Sequence, residues 1–146
     1  MTATLEHKRN LFAFSVRGME PRKPPHKGWR LIDDATKPLG MLKVEAMSFH
    51  WKGEDYVDGW QMCYRAKSKG ANLGERHARA LLKEQRRIPR TLRKFYFLFP
   101  GTRWRDPESR FVYASILRCD DGQWNLRWVW LGNNFDPGVL VLRLRR

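Results

Sequence analysis

Four carboxylates and two lysines lie close enough along the chain to do chemistry together: Glu45, Glu54, Asp55 and Asp58, with Lys43 and Lys52 among them. Two or three carboxylates converging on a divalent ion, with a lysine to activate water, would equip a metal-dependent nuclease. The order of residues does not fit one. No Pro-Asp followed by Glu-x-Lys occurs, "DPES" (106–109) supplies only a loop pair, and the acids of "GEDYVDG" (53–59) resemble a turn. Metal-free RNA cleavage would use paired histidines, but His7, His26, His50 and His77 are scattered without a pattern. Cys63 and Cys119 sit in apolar stretches with no Cys-x-x-Cys spacing, so they read as reduced thiols and not as zinc ligands or a disulfide. Neither a nucleophile motif nor a phosphate-cradling glycine loop is present. No catalytic residue, metal or cofactor is assigned, and an unrecognised nuclease stays as the second alternative.

A different chemistry is written into "RHARALLKEQRRIPRTLRKFYFLF" (76–99). At roughly 100° per residue, Arg76, Arg79, Lys83, Arg86 and Arg87 share one stripe about 100° wide, with Ala78, Leu81, Leu82 and Ile88 opposite. The spacing predicts an amphipathic helix over 73–87, with Asn72 as N-cap, Glu75 completing a capping box, and Pro89 as terminator. Arg79 stands four residues before Lys83, and Lys83 four before Arg87, so each pair of like charges costs a few tenths of a kcal/mol. A polyanion lying on that face would offset the cost by counterion release. Arg90, Arg93, Lys94, Arg103 and Arg105 extend the cationic track, and Lys67 and Lys69 flank its start. Trp104, held between two arginines, is a candidate for stacking on a base.

Composition agrees with that partner. The chain of 146 residues carries 29 Lys and Arg against 15 Asp and Glu, a net charge of +14. Ten basic residues (76, 79, 83, 86, 87, 90, 93, 94, 103 and 105) face Glu84 alone in residues 76–105. Such a balance is most easily understood beside a polyanion, and it excludes an acidic DNA mimic. The 19 Arg and 10 Lys suit bidentate phosphate contacts. No segment reaches the roughly 18 apolar residues of a membrane span. The start, "MTATLEHKRNLFAFSV", is neither a secretory signal nor a transit peptide, so the cytoplasm is the expected compartment.

The elements that would position these residues are mostly strands. "LFAFSV" (11–16), "WRLI" (29–32), "MLKVEAMSFHWK" (41–52), a returning strand "YVDGWQMCYR" (56–65) kinked at Gly59, "RKFYFLFPG" (93–101) and "VLVLRLRR" (139–146) all read as sheet. "TRWRDPES" (102–109) reads as a loop. Around "DDG" (120–122), Asp121-Gly122 makes a type I′ turn that sets residues whose numbers sum to 243 opposite each other. One face of that hairpin is aromatic: Phe111, Tyr113, Trp124, Trp128 and Trp130. It is either core, packed under the helix, or a stacking surface. Residues 1–10 read as a flexible lead-in and 19–28 as a Pro-rich basic linker within a single domain, 1–146.

The expected fold is α+β: an antiparallel sheet of about five to seven strands, built from hairpins, on one principal amphipathic helix. The expected function is binding of nucleic acid, DNA or RNA, through its phosphates, without catalysis. The alternative is a small regulator, inhibitor or assembly protein whose basic face docks an acidic protein partner or a larger nucleoprotein complex. No helix–turn–helix, zinc finger or RNA-recognition aromatic motif narrows the choice.

Overall fold

The structure is a computed structural model that describes residues 10–18 and 24–145. The lead-in over 1–9 and the first half of the proline-rich linker lie outside the described residues. The strands are β1 (Leu11–Val16), β2 (Arg30–Asp33), β3 (Gly40–Ser48), β4 (Val57–Asp58), β5 (Tyr96–Arg105), β6 (Val112–Asp120), β7 (Gln123–Trp130), β8 (Asn134–Phe135) and β9 (Val139–Leu144). The helices are α1 (Gly59–Ser68) and α2 (Glu75–Lys83), followed by 3₁₀ turns at Gln85–Arg87 and Arg90–Leu92.

Seven strands form one sheet in the order β1-β3-β9-β5-β6-β7, with β2 on the far half of β5. The β5–β9 pair is parallel, so the sheet is mixed. Its side chains alternate between two cores. Phe97, Phe99, Leu117, Leu140 and Leu142 join Ala78 and Leu81 of α2 on one face. Leu98, Ile116, Val139 and Val141 join Met62, Cys63 and Ala66 of α1 on the other. The expectation of a sheet on one principal helix is therefore wrong: the described residues are 43% strand and 19% helix, with two helices and a sheet curled into a half-barrel. The reason lies in "YFLF" (96–99) and "VLVL" (139–142). Unbroken apolar runs bury both faces of a strand, and each face then needs its own cover.

That second cover is α1, and it corrects the strand expected over 56–65. Only Val57–Asp58 is extended, paired with β8. The Asp58 side chain accepts the Gln61 N–H at 3.0 Å and starts a helix that buries Gly59, Met62, Cys63 and Ala66 along one side. Gly59 is no kink. A Cβ there would stand 2.5 Å from the Leu131 carbonyl oxygen, so only glycine lets α1 begin against the sheet.

β5 carries the other departure. Phe99 pairs with Ser115 and Arg103 with Ala114, so Pro100–Thr102 bulge out of the ladder. Residues 102–105, expected in a loop, continue the strand, and Arg103, Trp104 and Arg105 pair with β2. The bulge turns Thr102 toward α2, where its hydroxyl accepts the Glu75 N–H at 2.9 Å. This helix starts two residues later than Asn72 would place it, with Gly74 as N-cap, and its regular turns stop at Lys83, before Pro89. Two side chains just beyond that end hold the edges of the half-barrel. Glu84 accepts the Ser15 N–H of β1 at 3.0 Å, and Gln85 accepts the Trp124 N–H of β7 at 2.9 Å. The end of α2 thus takes one N–H from each of the edge strands β1 and β7.

The β6–β7 hairpin keeps the register read from its turn, from Tyr113 opposite Trp130 to Asp120 opposite Gln123. Asp121 and Gly122 both have positive φ, as type I′ requires. Its aromatic face is only partly covered: Phe111 stays 42% exposed. Trp124 is buried and stacks on Phe97 at 5.1 Å, Tyr113 stacks on Trp29 at 4.4 Å, and Phe111 stacks on Trp130 at 4.3 Å.

Candidate nucleic-acid interface

The cationic stripe of α2 is built differently from a bare charged face. Arg76 is only 14% exposed and pairs with the buried Asp34 at 3.0 Å. Arg79 pairs with buried Glu75 at 3.3 Å, and Arg87 with Glu84 at 3.0 Å. The expectation of cations unneutralised by neighbours fails for these three. Their carboxylates come from the 33–40 loop, from the first turn of the helix and from the residue after its end, and no pattern of spacing announces the first of them. A paired guanidinium is not spent, however. Each has five N–H donors, and a carboxylate that fixes its plane leaves others to offer. Lys83 is exposed on the same side.

Behind the stripe lies a polar network inside the apolar core. Glu75, 5% exposed, accepts hydrogen bonds at one oxygen from Trp104 Nε1 (3.0 Å), Ser115 Oγ (3.0 Å) and Trp128 Nε1 (2.8 Å). Its other oxygen faces Arg79. Thr102 Oγ1 donates to Asp34 at 2.8 Å, which joins the Arg76 pair to the same system. Trp104, expected to stack on a base, is therefore a core residue, 3% exposed, whose indole orients Glu75. His77 completes the helix start. Gly74 N–H donates to its Nδ1 at 2.9 Å, so Nε2 bears the proton and donates to the Pro38 carbonyl at 3.0 Å. Burial holds the imidazole below its ordinary pKa.

The remaining cations separate into two groups. Arg86, Arg90, Arg93 and Lys94 are exposed past the end of α2, continuing its stripe as an irregular track with Arg87. Lys67 and Lys69 are exposed at the end of α1, on the opposite side of the sheet. Arg103 goes with them: it pairs with Asp33, and its guanidinium lies 5.6 Å from the Trp60 ring centre. Arg105 is exposed on the same strand.

Cations line two cavities. One, of about 300 Å³, lies between the end of β1 and α2 and brings Arg76, Arg79 and Lys83 together with Arg17 and Glu84. The other, of about 450 Å³, lies beside α1 and is lined by Trp60, Tyr64, Lys67, Asn72, Arg103, Asp33 at the end of β2 and Asp34 just after it. Sequence reasoning missed Arg17, which no local pattern ties to α2. It also missed Trp60 and Tyr64, whose spacing of four would have marked one helix face had 59–68 been read as helix.

Three of the four carboxylates considered for a metal are engaged elsewhere, and Asp55 is exposed. Glu45, buried, accepts from Arg143 at 2.8 Å. Glu54 takes two hydrogen bonds from Arg65, at 2.6 and 2.9 Å, and these with the Trp51 N–H hold its pKa down at about 2. Asp58 caps α1. Among the described residues no group of three His, Cys, Asp or Glu could hold a metal ion. Burial raises the Cys63 thiol to about 12, far from a nucleophile's range. No helix among the described residues is long and apolar enough to cross a membrane. No protein family, curated protein or solved structure matches the chain.

Proposed function

We propose that this protein binds nucleic acid through its phosphates, at the cavity between β1 and α2 and along the exposed track that leaves it. The observation that carries the reading is the cavity's wall: Arg17, Arg76, Arg79 and Lys83 gathered around one recess. Two of those guanidiniums are anchored from behind by buried carboxylates. A flexible arginine loses side-chain entropy when it grips a phosphate, and an anchored one loses less. The pairs lower the local field, while the net charge of +14 and the track of Arg86, Arg90, Arg93 and Lys94 supply long-range attraction. Binding without catalysis is favoured over a nuclease because Glu45, Glu54 and Asp58 are engaged in structural hydrogen bonds. The free thiols of Cys63 and Cys119 suit a reducing compartment, the cytoplasm in this reading.

The test is fluorescence anisotropy with labelled single- and double-stranded DNA and RNA over a series of salt concentrations. The slope of log K against log salt should reach several units. Arg17→Ala combined with Lys83→Ala and Arg86→Ala should weaken binding and reduce the slope by about 0.7 to 0.9 for each phosphate left without its cation. Unchanged affinity and slope in the folded triple variant would overturn the placement. A shallow slope would point to an acidic protein partner with an apolar centre.

A further inference from the structure

A folded chain of this size rarely leaves large rings bare side by side, and α1 does so. Trp60 is 43% exposed and Tyr64 is 72% exposed, one helical turn apart on the same face. They border the cavity of about 450 Å³, a size ordinary for small-ligand sites. Its other walls mix Cys63, Pro100 and Gly101 with polar groups. Asn72 offers an amide with both donors and an acceptor, Lys67 and Arg103 supply positive charge, and Asp33 and Asp34 supply carboxylates.

That mixture separates this cavity from the one beside β1. Two carboxylates, already paired with Arg103 and Arg76, make it a poor seat for a phosphate, while the Asn72 amide can pair with a base edge. Two rings beside two cations are the equipment with which proteins hold bases while neighbouring phosphates are neutralised. The two cavities are also joined through one ion pair. Asp34 lines the α1 cavity, and its partner Arg76 lines the phosphate recess.

We infer that the α1 cavity receives an unpaired base from a strand whose phosphates run into the β1–α2 recess, which makes the protein a single-strand binder. The inference rests on the phosphate-binding reading and adds the substrate class. Bases in a duplex are paired and stacked and cannot enter, so single-stranded nucleic acid should bind more tightly than duplex of the same length.

The experiment compares a labelled single-stranded 12-mer of mixed sequence with its duplex, by anisotropy, for wild type, Trp60→Ala, Tyr64→Ala and Trp60→Phe. Losing one stacked base should weaken single-strand binding about tenfold or more in Trp60→Ala, with duplex binding unchanged and Trp60→Phe close to wild type. Circular dichroism melting confirms that each variant folds. If Trp60→Ala and Tyr64→Ala both bind the single strand as wild type does, while the Arg17/Lys83/Arg86 variant loses it, the base pocket is refuted and the phosphate reading stands. If wild type binds neither form at low salt, both fall, and the exposed rings are left to a protein partner.

Discussion

The two helices cover opposite faces of one sheet and are anchored by charges of opposite sign. α2 is fixed by a buried carboxylate, Glu75, that collects two indole N–H groups, a hydroxyl and a guanidinium. α1 is fixed by a buried guanidinium, Arg65, that donates to Glu54 and to the Phe49 carbonyl at 2.9 Å and lies 3.8 Å from the centre of the Trp51 ring. The outward faces differ as well. α2 presents cations already held by carboxylates, whereas α1 presents bare aromatic rings with cations at their edge. A helix face thus cannot be classed from its own residues alone: what its charges do is set by partners that the fold brings from elsewhere.

The largest effect should come from breaking the α2 anchor. Glu75→Ala leaves Trp104 Nε1 and Ser115 Oγ without their acceptor inside the core and strips Arg79 of its partner. Breaking a buried, hydrogen-bonded charge in this way costs about 3–5 kcal/mol. The midpoint of urea unfolding should fall accordingly, with Glu75→Gln between Ala and wild type because its amide oxygen still accepts. A loss under about 1 kcal/mol for Glu75→Ala would mean that the network is incidental and that apolar packing alone fixes α2.

On the α1 side the sharpest probe is steric. Gly59→Ala places a methyl within 2.7 Å of the Leu131 Cα as well as against its carbonyl, and both are backbone atoms that cannot turn away. Overpacking of this kind costs about 1–3 kcal/mol, so the variant should melt earlier than wild type but later than Glu75→Ala. Because Trp60 is the next residue, Gly59→Ala should also weaken single-strand binding more than duplex binding if α1 forms the base pocket. Equal loss of both would separate the helix from that role.

The contrast between the helices also explains what was legible in the sequence. The β6–β7 register followed from Asp121-Gly122 because a tight turn dictates its own pairing. The buried side of α2 followed from period alone. α1 was hidden because Gly59 and the strand-forming Tyr56, Val57 and Trp60 mask a helix whose signals are Asp58 three residues before Gln61 and apolar positions at 59, 62, 63 and 66. The second helical layer was in fact implied by "VLVL" (139–142), an apolar run that no one-sided sheet would need. The ion pairs of Arg76, Arg79 and Arg87 and the burial of Trp104 were not legible. Asp34 reaches Arg76 only after β5 bulges at Pro100–Thr102 and Thr102 binds both Asp34 and the helix start.

The smallest effect, and the finest discrimination between the two sides, is in acid. The folded state keeps His77 neutral with a pKa below 6.5. The unfolded chain therefore takes up the proton first, and this contribution to stability, complete above 6.5, is lost as pH falls through the folded value. Glu54 is held at about 2 against an ordinary 4.5, so its contribution is complete above 4.5 and is lost between there and about 2. The α2 start should loosen before the loop that clamps α1. Urea midpoints from about pH 8 to about pH 3 should show two successive declines. His77→Gln, which cannot protonate, should lower the whole curve yet remove the first decline, while Glu54→Gln should shrink only the second, to which Asp106, also held below its ordinary pKa by the Glu108 N–H and Ser109, contributes. If His77→Gln leaves the first decline in place, another group controls it, and the Gly74–His77–Pro38 chain is not what ties the helix start to the 33–40 loop.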